Sequence, residues 1–258
     1  MSGRLEGKVA IVTGGGGGIG RATVLGFAQE GASVVVAEID QARGRATEQE
    51  ASSARVRYVH LDAGDETSWR RLLDETLALF GSLQVLVNNA AQRQPLTLEH
   101  TTLEAWHANQ RVTSDGVFLG TKLAAEVMTG RCSIVNVASI GAFIGLPRSL
   151  AYSAAKGSVR ALSRSAALHF AAQGRDIRVN VVAPGATLTD AVRAQLELIA
   201  AREKSTPEAV LAGITQDVPM KRMADPRELA NAILFLASDE ASFVTGAELI
   251  VDGGQTAA

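Results

Sequence analysis

Tyr152 and Lys156 stand four residues apart in the stretch Ser149-Leu-Ala-Tyr-Ser-Ala-Ala-Lys156. The alanines favour helix, and side chains at that spacing lie on one helix face, one turn from each other. A free phenol has a pKa of about 10, too high for ready proton exchange at neutral pH. An ammonium one turn away favours the phenolate, so the pair can work as a general acid and base. Upstream, Ser139 follows the apolar run Ser133-Ile-Val-Asn-Val-Ala138, which reads as a buried strand. Its hydroxyl then lies at a strand's carboxyl end, where open α/β sheets bind ligands. The same Tyr/Lys spacing also suits an exposed aromatic beside a solvated lysine, so the surrounding elements decide between the two.

Those elements begin with Val9-Ala-Ile-Val12, a short run apolar at every residue, as in a strand buried on both faces. Thr13 leads into five glycines, Gly14 to Gly18, then Ile19 and Gly20, and a helix over Arg21 to Glu30 that Gly31 stops. Strand, glycine loop and helix together let backbone N–H groups and a helix N-terminus cradle a pyrophosphate. A flexible linker would not separate a buried strand from an amphipathic helix. The second strand, Ser33 to Glu38, ends in an acid. A carboxylate there can accept both hydrogen bonds of an adenosine ribose diol and repels a 2′-phosphate, which favours NAD over NADP. Asp40 is the alternative ribose ligand.

Further along, helices over Gln41 to Ser53 and Asp65 to Phe80 alternate with strands over Val56 to Leu61 and Leu83 to Val87. Leu98 to Met128 reads as mostly helical, the Tyr152 helix stops near Gly174, and strands over Ile177 to Val182 and Ala247 to Val251 flank a helix from Pro226 to Ser238. Ala186 to Met223 breaks the rhythm with Val192, Leu196 and Ile199 at helical spacing. It reads as a helical lid insertion, about 187–223, with an ordinary surface insertion as the alternative. No linker or repeat interrupts the alternation, so residues 1–258 read as one doubly wound α/β domain with a seven-stranded parallel sheet and helices on both faces.

Composition sets the limits. Of 258 residues 47% are apolar and the net charge is −2, which allows a large core and argues against a nucleic-acid or membrane-surface binder. The single cysteine, Cys132, cannot form an intrachain disulfide and opens a core strand, which suits a buried structural thiol rather than a nucleophile. No apolar run approaches the roughly 18 residues of a membrane span and no signal-peptide pattern opens the chain, so the cytoplasm is the expected location. The histidines at 60, 100, 107 and 169 form no metal-ligand pattern, and neither Gly-x-Ser-x-Gly nor the Lys-Ser/Thr of a P-loop is present.

Taken in order, Thr13-Gly14-xxx-Gly18-Ile19-Gly20, Asp62, Asn88-Asn89-Ala90, Ser139, Tyr152-xxx-Lys156, Pro184-Gly185-xxx-Thr189 and Val251-Asp252-Gly253-Gly254 make the chain resemble the short-chain dehydrogenase/reductase family over essentially its whole length. The resemblance implies a Rossmann-like sheet with NAD across its carboxyl edge. Asp62 would touch the adenine and Asn89 with Ala90 would flank the adenosine ribose. Pro184, Gly185, Thr187 and Thr189 would hold the nicotinamide carboxamide, and Lys156 the nicotinamide ribose. Tyr152 would exchange the substrate proton while Ser139 binds the carbonyl or alcohol oxygen, and the cofactor carries the hydride. Members of the family often form tetramers through the helices matching Leu98–Met128 and Tyr152–Gly174, so a homotetramer is expected.

Two departures stand out. The family's Asn-Asn-Ala-Gly is here Asn88-Asn89-Ala90-Ala91, a change of one methyl. The fourth catalytic position, usually an Asn that helps hold a proton-relay water, falls on Thr113, with Asn109 one turn earlier as a possible substitute. The expectation is an active enzyme with an altered relay: an NAD(H)-dependent oxidoreductase interconverting a secondary alcohol and a ketone. Phe143, Leu146, Val192, Leu196 and Ile199 would line an apolar pocket for a small cyclic, aryl or steroid-like substrate, or else pack the lid on the body. A non-enzymatic NAD-binding sensor or scaffold is a competing class, and an enoyl reductase a further one.

Overall fold

The computed structural model describes residues 3–257, so positions 1, 2 and 258 of the domain read from the sequence lie outside the described residues. Seven strands form one parallel sheet: β1 (Val9–Thr13), β2 (Ser33–Glu38), β3 (Val56–His60), β4 (Val85–Asn88), β5 (Cys132–Val137), β6 (Ile177–Pro184) and β7 (Glu248–Val251). Their order in space is β3-β2-β1-β4-β5-β6-β7. The chain leaves β1 toward one edge and returns at β4 toward the other, so β1 and β4 flank the switch point where such sheets open a crevice. All five residues of β1 and all six of β5 are buried, which explains why their sequences run apolar without alternation.

Helices cover both faces. Against one face lie α1 (Gly18–Gln29) and α9 (Pro226–Ala237), whose Val24, Phe27, Leu229 and Ile233 meet Val12, Val36 and Val135. The other carries α3 (Glu66–Phe80), α5 (Gly116–Val127) and α6 (Leu150–Ala172), packed through Trp69, Leu72, Leu123 and Phe170 on Ile11, Leu86 and Ile134. Trp69 is fully buried and donates its indole N–H to the Ala63 carbonyl at 2.9 Å. Truncating an aromatic core residue costs about 3–5 kcal/mol, so the core itself fixes the loop that carries Asp62.

The remaining helices set the rim. α2 (Gln41–Glu50) is capped by Asp40, whose carboxylate accepts the Arg43 N–H at 3.1 Å. The stretch read as mostly helical is α4 (Leu103–Gln110) running into α5 through a π-helical turn, Arg111–Asp115. The lid region forms α7 (Asp190–Glu203) and α8 (Pro207–Ile214), and it is tied back to the body by a bridge between Thr187 and Ala224. Leu196 and Ala200 are the buried positions of α7, with Val192 and Ile199 half-buried. α1 begins at Gly18, earlier than the sequence suggests, because the last glycines of the loop already take up the first helical turn.

A buried polar chain holds β4, β5 and α6 in register. Asn88 Nδ2 donates to Asn136 Oδ1 at 2.9 Å, Asn136 Nδ2 donates to Ser163 Oγ at 2.8 Å, and Ser163 donates to the Val159 carbonyl at 2.6 Å. It ties β4 to β5 and β5 to α6, the helix that carries Tyr152 and Lys156. No helix among the described residues is long and apolar enough to cross a membrane.

Candidate active site

The glycine loop is shaped by two constraints. Gly14 sits at φ +63, a left-handed conformation that costs a side-chain-bearing residue free energy. A Cβ on Gly20 would collide with the Gly14 carbonyl, so α1 can close on the loop only if that position is bare. Thr13 is buried, and its hydroxyl accepts the N–H groups of Asn89 and Ala90, both at 2.9 Å. The Asn89 amide donates to the Thr13 and Gly14 carbonyls at 3.0 and 3.3 Å. Thr13 and Asn89 therefore clamp the ends of β1 and β4 together and leave the loop's backbone as the lining of the crevice. Ile19 is half-buried and packs toward the core. Across the crevice Thr189, the α7 cap, brings its methyl to 3.0 Å from where a Cβ of Gly18 would stand. Pro184, Gly185 and Thr187 lead there from the end of β6, with the Thr187 hydroxyl donating to the Gly185 carbonyl at 3.1 Å. This bare, N–H-lined cradle fits a dinucleotide pyrophosphate.

Two charged groups flank the cradle. The Glu38 carboxylate is 8% exposed; Oε2 accepts the Gly16 N–H at 3.1 Å, and Oε1 accepts those of Ile39 and Asp40 at 2.9 and 3.2 Å. Asp40 is engaged in capping α2, which leaves Glu38 as the acid facing the loop. The Arg43 guanidinium lies directly over Gly17, a neighbour that the sequence reading did not foresee. Nor did it foresee Arg111, which donates to Asp62 Oδ2 at 2.5 Å from the π-helical turn. Burial pushes the Asp62 carboxyl up, but Arg111 and the Gly64 N–H outweigh it and hold the pKa below the usual range.

At the carboxyl end of β5 the three expected catalytic side chains come together. Ser139 is buried and its Oγ accepts the Gly141 N–H at 3.2 Å, which orients the hydroxyl. Lys156 is 1% exposed, and its Nζ donates to the Val137 carbonyl at 2.5 Å and stands 5.7 Å from the Tyr152 ring centroid. Burial lowers the Lys156 pKa to about 7. Burial also raises the Tyr152 phenol, against the pull of the Ser139 hydroxyl and of the Arg93 guanidinium. Arg93 is thus a cation beside the phenol that the sequence reading did not foresee, while burial disfavours the charged form of Lys156.

Thr113 lies in the π-helical turn, fully buried, with its hydroxyl accepting the Gln92 N–H at 3.2 Å. Asn109, one turn back on α4, is 1% exposed and its Oδ1 has no hydrogen-bond partner. The turn is pinned to α6 by a 2.7 Å contact between the Ser114 and Ser158 hydroxyls. π-helical turns are rare and recur at functional sites. Among the pocket residues, Leu146 packs on Gly141 beside the Ser139 loop. Phe143 is half-buried and packs on Ala138, Val159 and Val181, with Arg160 stacked on its ring at 3.6 Å. Val192, Leu196 and Ile199 sit on α7 at the rim. Cys132 is buried and its thiol is pushed up to about 11 by burial. Among the described residues no group of three or more His, Cys, Asp or Glu could hold a metal ion.

Comparison with known proteins converges on one family. The family model described as enoyl-(acyl carrier protein) reductase matches residues 14–256. The chain is 40% identical to the NADP-dependent (R)-specific alcohol dehydrogenase of Lentilactobacillus kefiri, over 100% of both chains. It is 42% identical to the cis-4-hydroxycyclohexanecarboxylate dehydrogenase of Sinomonas cyclohexanicum, over 97% of each. It is 39% identical to the 3-alpha-(or 20-beta)-hydroxysteroid dehydrogenase of Mycobacterium tuberculosis, over 100% of this chain and 92% of the relative. With the glycine cradle, the seven-stranded parallel sheet and these matches in agreement, the chain belongs to the short-chain dehydrogenase/reductase family.

Proposed function

We propose that this chain interconverts a secondary alcohol and a ketone with a nicotinamide dinucleotide, Tyr152 serving as general acid and base. The observation that carries the reading is the meeting of Ser139, Tyr152 and Lys156 at the carboxyl end of β5, on the same sheet edge as the glycine cradle. The relatives named above act on alcohols by their descriptions, two of them on cyclic ones, which supports a cyclic alcohol as substrate.

When bound, the dinucleotide supplies the hydride acceptor for oxidation and the donor for reduction. The protein's own work is proton transfer and positioning. In oxidation Tyr152, as phenolate, takes the hydroxyl proton, and the Ser139 hydroxyl donates a hydrogen bond to the oxygen as negative charge gathers on it. In reduction the phenol returns that proton. Lys156 stands beneath the phenol on a fixed carbonyl and holds or releases a proton near neutral pH. The alcohol reading is favoured over an enoyl reductase by the named relatives, which are all dehydrogenases of alcohols by description.

For the cofactor we infer NAD. The Glu38 carboxylate stands against the loop at Gly16, where a 2′-phosphate would meet a like charge. Arg43 over Gly17 acts in the opposite sense, and the Lentilactobacillus kefiri relative is NADP-dependent by description. Turnover of cyclic secondary alcohols with NAD and with NADP tests both parts. The expected result is activity with kcat/KM at least tenfold higher for NAD. Preference for NADP would overturn the cofactor assignment, and binding of either dinucleotide without turnover of any alcohol or ketone would favour a sensor.

A further inference from the structure

Arg93 lies on the loop between β4 and α4, in a stretch with no motif of its own. Its guanidinium carbon stands 5.8 Å from the centroid of the Tyr152 ring, and its Nη2 donates to the Ser149 hydroxyl at 3.4 Å. The preceding residue is fastened to the body, since the Gln92 N–H donates to buried Thr113. The guanidinium is thus held over the catalytic phenol by its loop and by Ser149. Among the described residues some arginines have carboxylate partners, such as Arg111 with Asp62, Arg160 and Arg164 with Glu248, and Arg222 with Glu228, whereas others have none. Among the described residues Arg93 has none, and its charge draws the Tyr152 phenol toward ionisation.

We propose that Arg93 selects an anionic substrate: a cyclic secondary alcohol bearing a carboxylate, which the guanidinium binds while the hydroxyl meets Tyr152. The proposal rests on the alcohol-oxidising reading above and names the substrate class for that same site. Two arguments favour it over an entirely apolar substrate. Arg93 is exposed, so an anionic group can reach its guanidinium, whereas a neutral hydrophobic molecule laid over it would strip its water and offer no partner in return. A carboxylate offers two oxygens to the planar fork of N–H donors, of which Ser149 occupies one. The carboxylate takes no part in the bond changes. The carbinol C–H bond gives its hydrogen and electron pair as hydride to the bound dinucleotide, the hydroxyl proton goes to Tyr152, and the product is the keto acid.

The test compares kcat/KM for 4-hydroxycyclohexanecarboxylate, its methyl ester and trans-4-aminocyclohexanol in the parent, Arg93→Gln and Arg93→Glu enzymes. Removing Arg93 also disturbs the phenol, so the ratio of acid to ester is the readout, in which a common loss cancels. The parent should prefer the acid over the ester. Arg93→Gln should cut that ratio by about tenfold, in line with losing one charge-assisted hydrogen-bonded contact, and mostly through KM. Arg93→Glu should turn the preference toward the ammonium-bearing alcohol, and added salt should raise KM for the acid alone. Equal turnover of acid and ester by the parent, or an unchanged ratio in both variants, would overturn the assignment while leaving the alcohol reading intact. No turnover of any of the three, with either dinucleotide and across other neutral cyclic alcohols, would overturn both.

Discussion

Lys156 has one hydrogen-bond partner, the Val137 carbonyl, and almost no contact with water. Its amine keeps a pKa of 10.5 in an unfolded chain and falls to about 7 when buried. Between those values the unfolded chain binds more protons than the folded one, so stability rises with pH across that window. Below about pH 7 the penalty is fully present. Lys156→Met removes the group that suffers it, at the lesser cost of leaving the Val137 carbonyl without its donor. The unliganded variant should therefore melt above the parent at pH 7, by roughly 2–4 °C for each kcal/mol recovered. The difference should shrink as the pH approaches 10.5. Thermal melts across pH 6 to 10 check this, and a variant that melts at or below the parent throughout would contradict the burial argument. A higher-melting variant would show the residue to be kept at a cost to stability, as a functional group is.

The sequence exposes the helices' inward faces and leaves some of their outward faces unexplained. α5 and α6 bury Leu123, Ala124, Ala167 and Phe170 in the core yet still present a groove of about 610 Å³ on their outer side, lined in part by Phe118, Ala125, Leu162, Ala166 and His169. Phe118 is 48% exposed there. A second copy of the chain is the proposed occupant, in keeping with the expected homotetramer. Sedimentation at micromolar concentration should give a tetramer, and Phe118→Asp, which sets a charge in the groove, should dissociate it. A stable monomer in the parent would exclude the assembly. The alternation of buried strands and helices was plain in the sequence because parallel strands covered on both faces must be apolar throughout. The π-helical turn at Arg111–Asp115 was not, since a one-residue expansion in a helix leaves no periodicity to detect over so short a span.

Across the whole molecule, residues close in sequence were easier to place than residues that meet only through the fold. The glycine loop, Ser139 and the Tyr152–Lys156 pair each lie within one local stretch, and the sheet brings their stretches to a common edge. Arg43 over Gly17, Arg111 on Asp62 and Arg93 beside Tyr152 are long side chains reaching across loops, and no spacing in the chain marks them. Of the two readings of Phe143, pocket lining or packing, spacing could not choose, because its contacts with Arg160 and the core arise only through the fold. Thr13 carried a motif identity, but its hydroxyl serves the fold by joining β1 to β4.

What unites these scales is the proposal that a single phenol, Tyr152, passes a proton at the edge of a dinucleotide cradle. The most direct measurement is single-turnover oxidation of a cyclic secondary alcohol by the Tyr152→Phe enzyme loaded with dinucleotide, followed at 340 nm. The account predicts that the variant binds the dinucleotide like the parent and folds like it, while hydride transfer slows by at least about a hundredfold. Hydride transfer at the parent rate would contradict it.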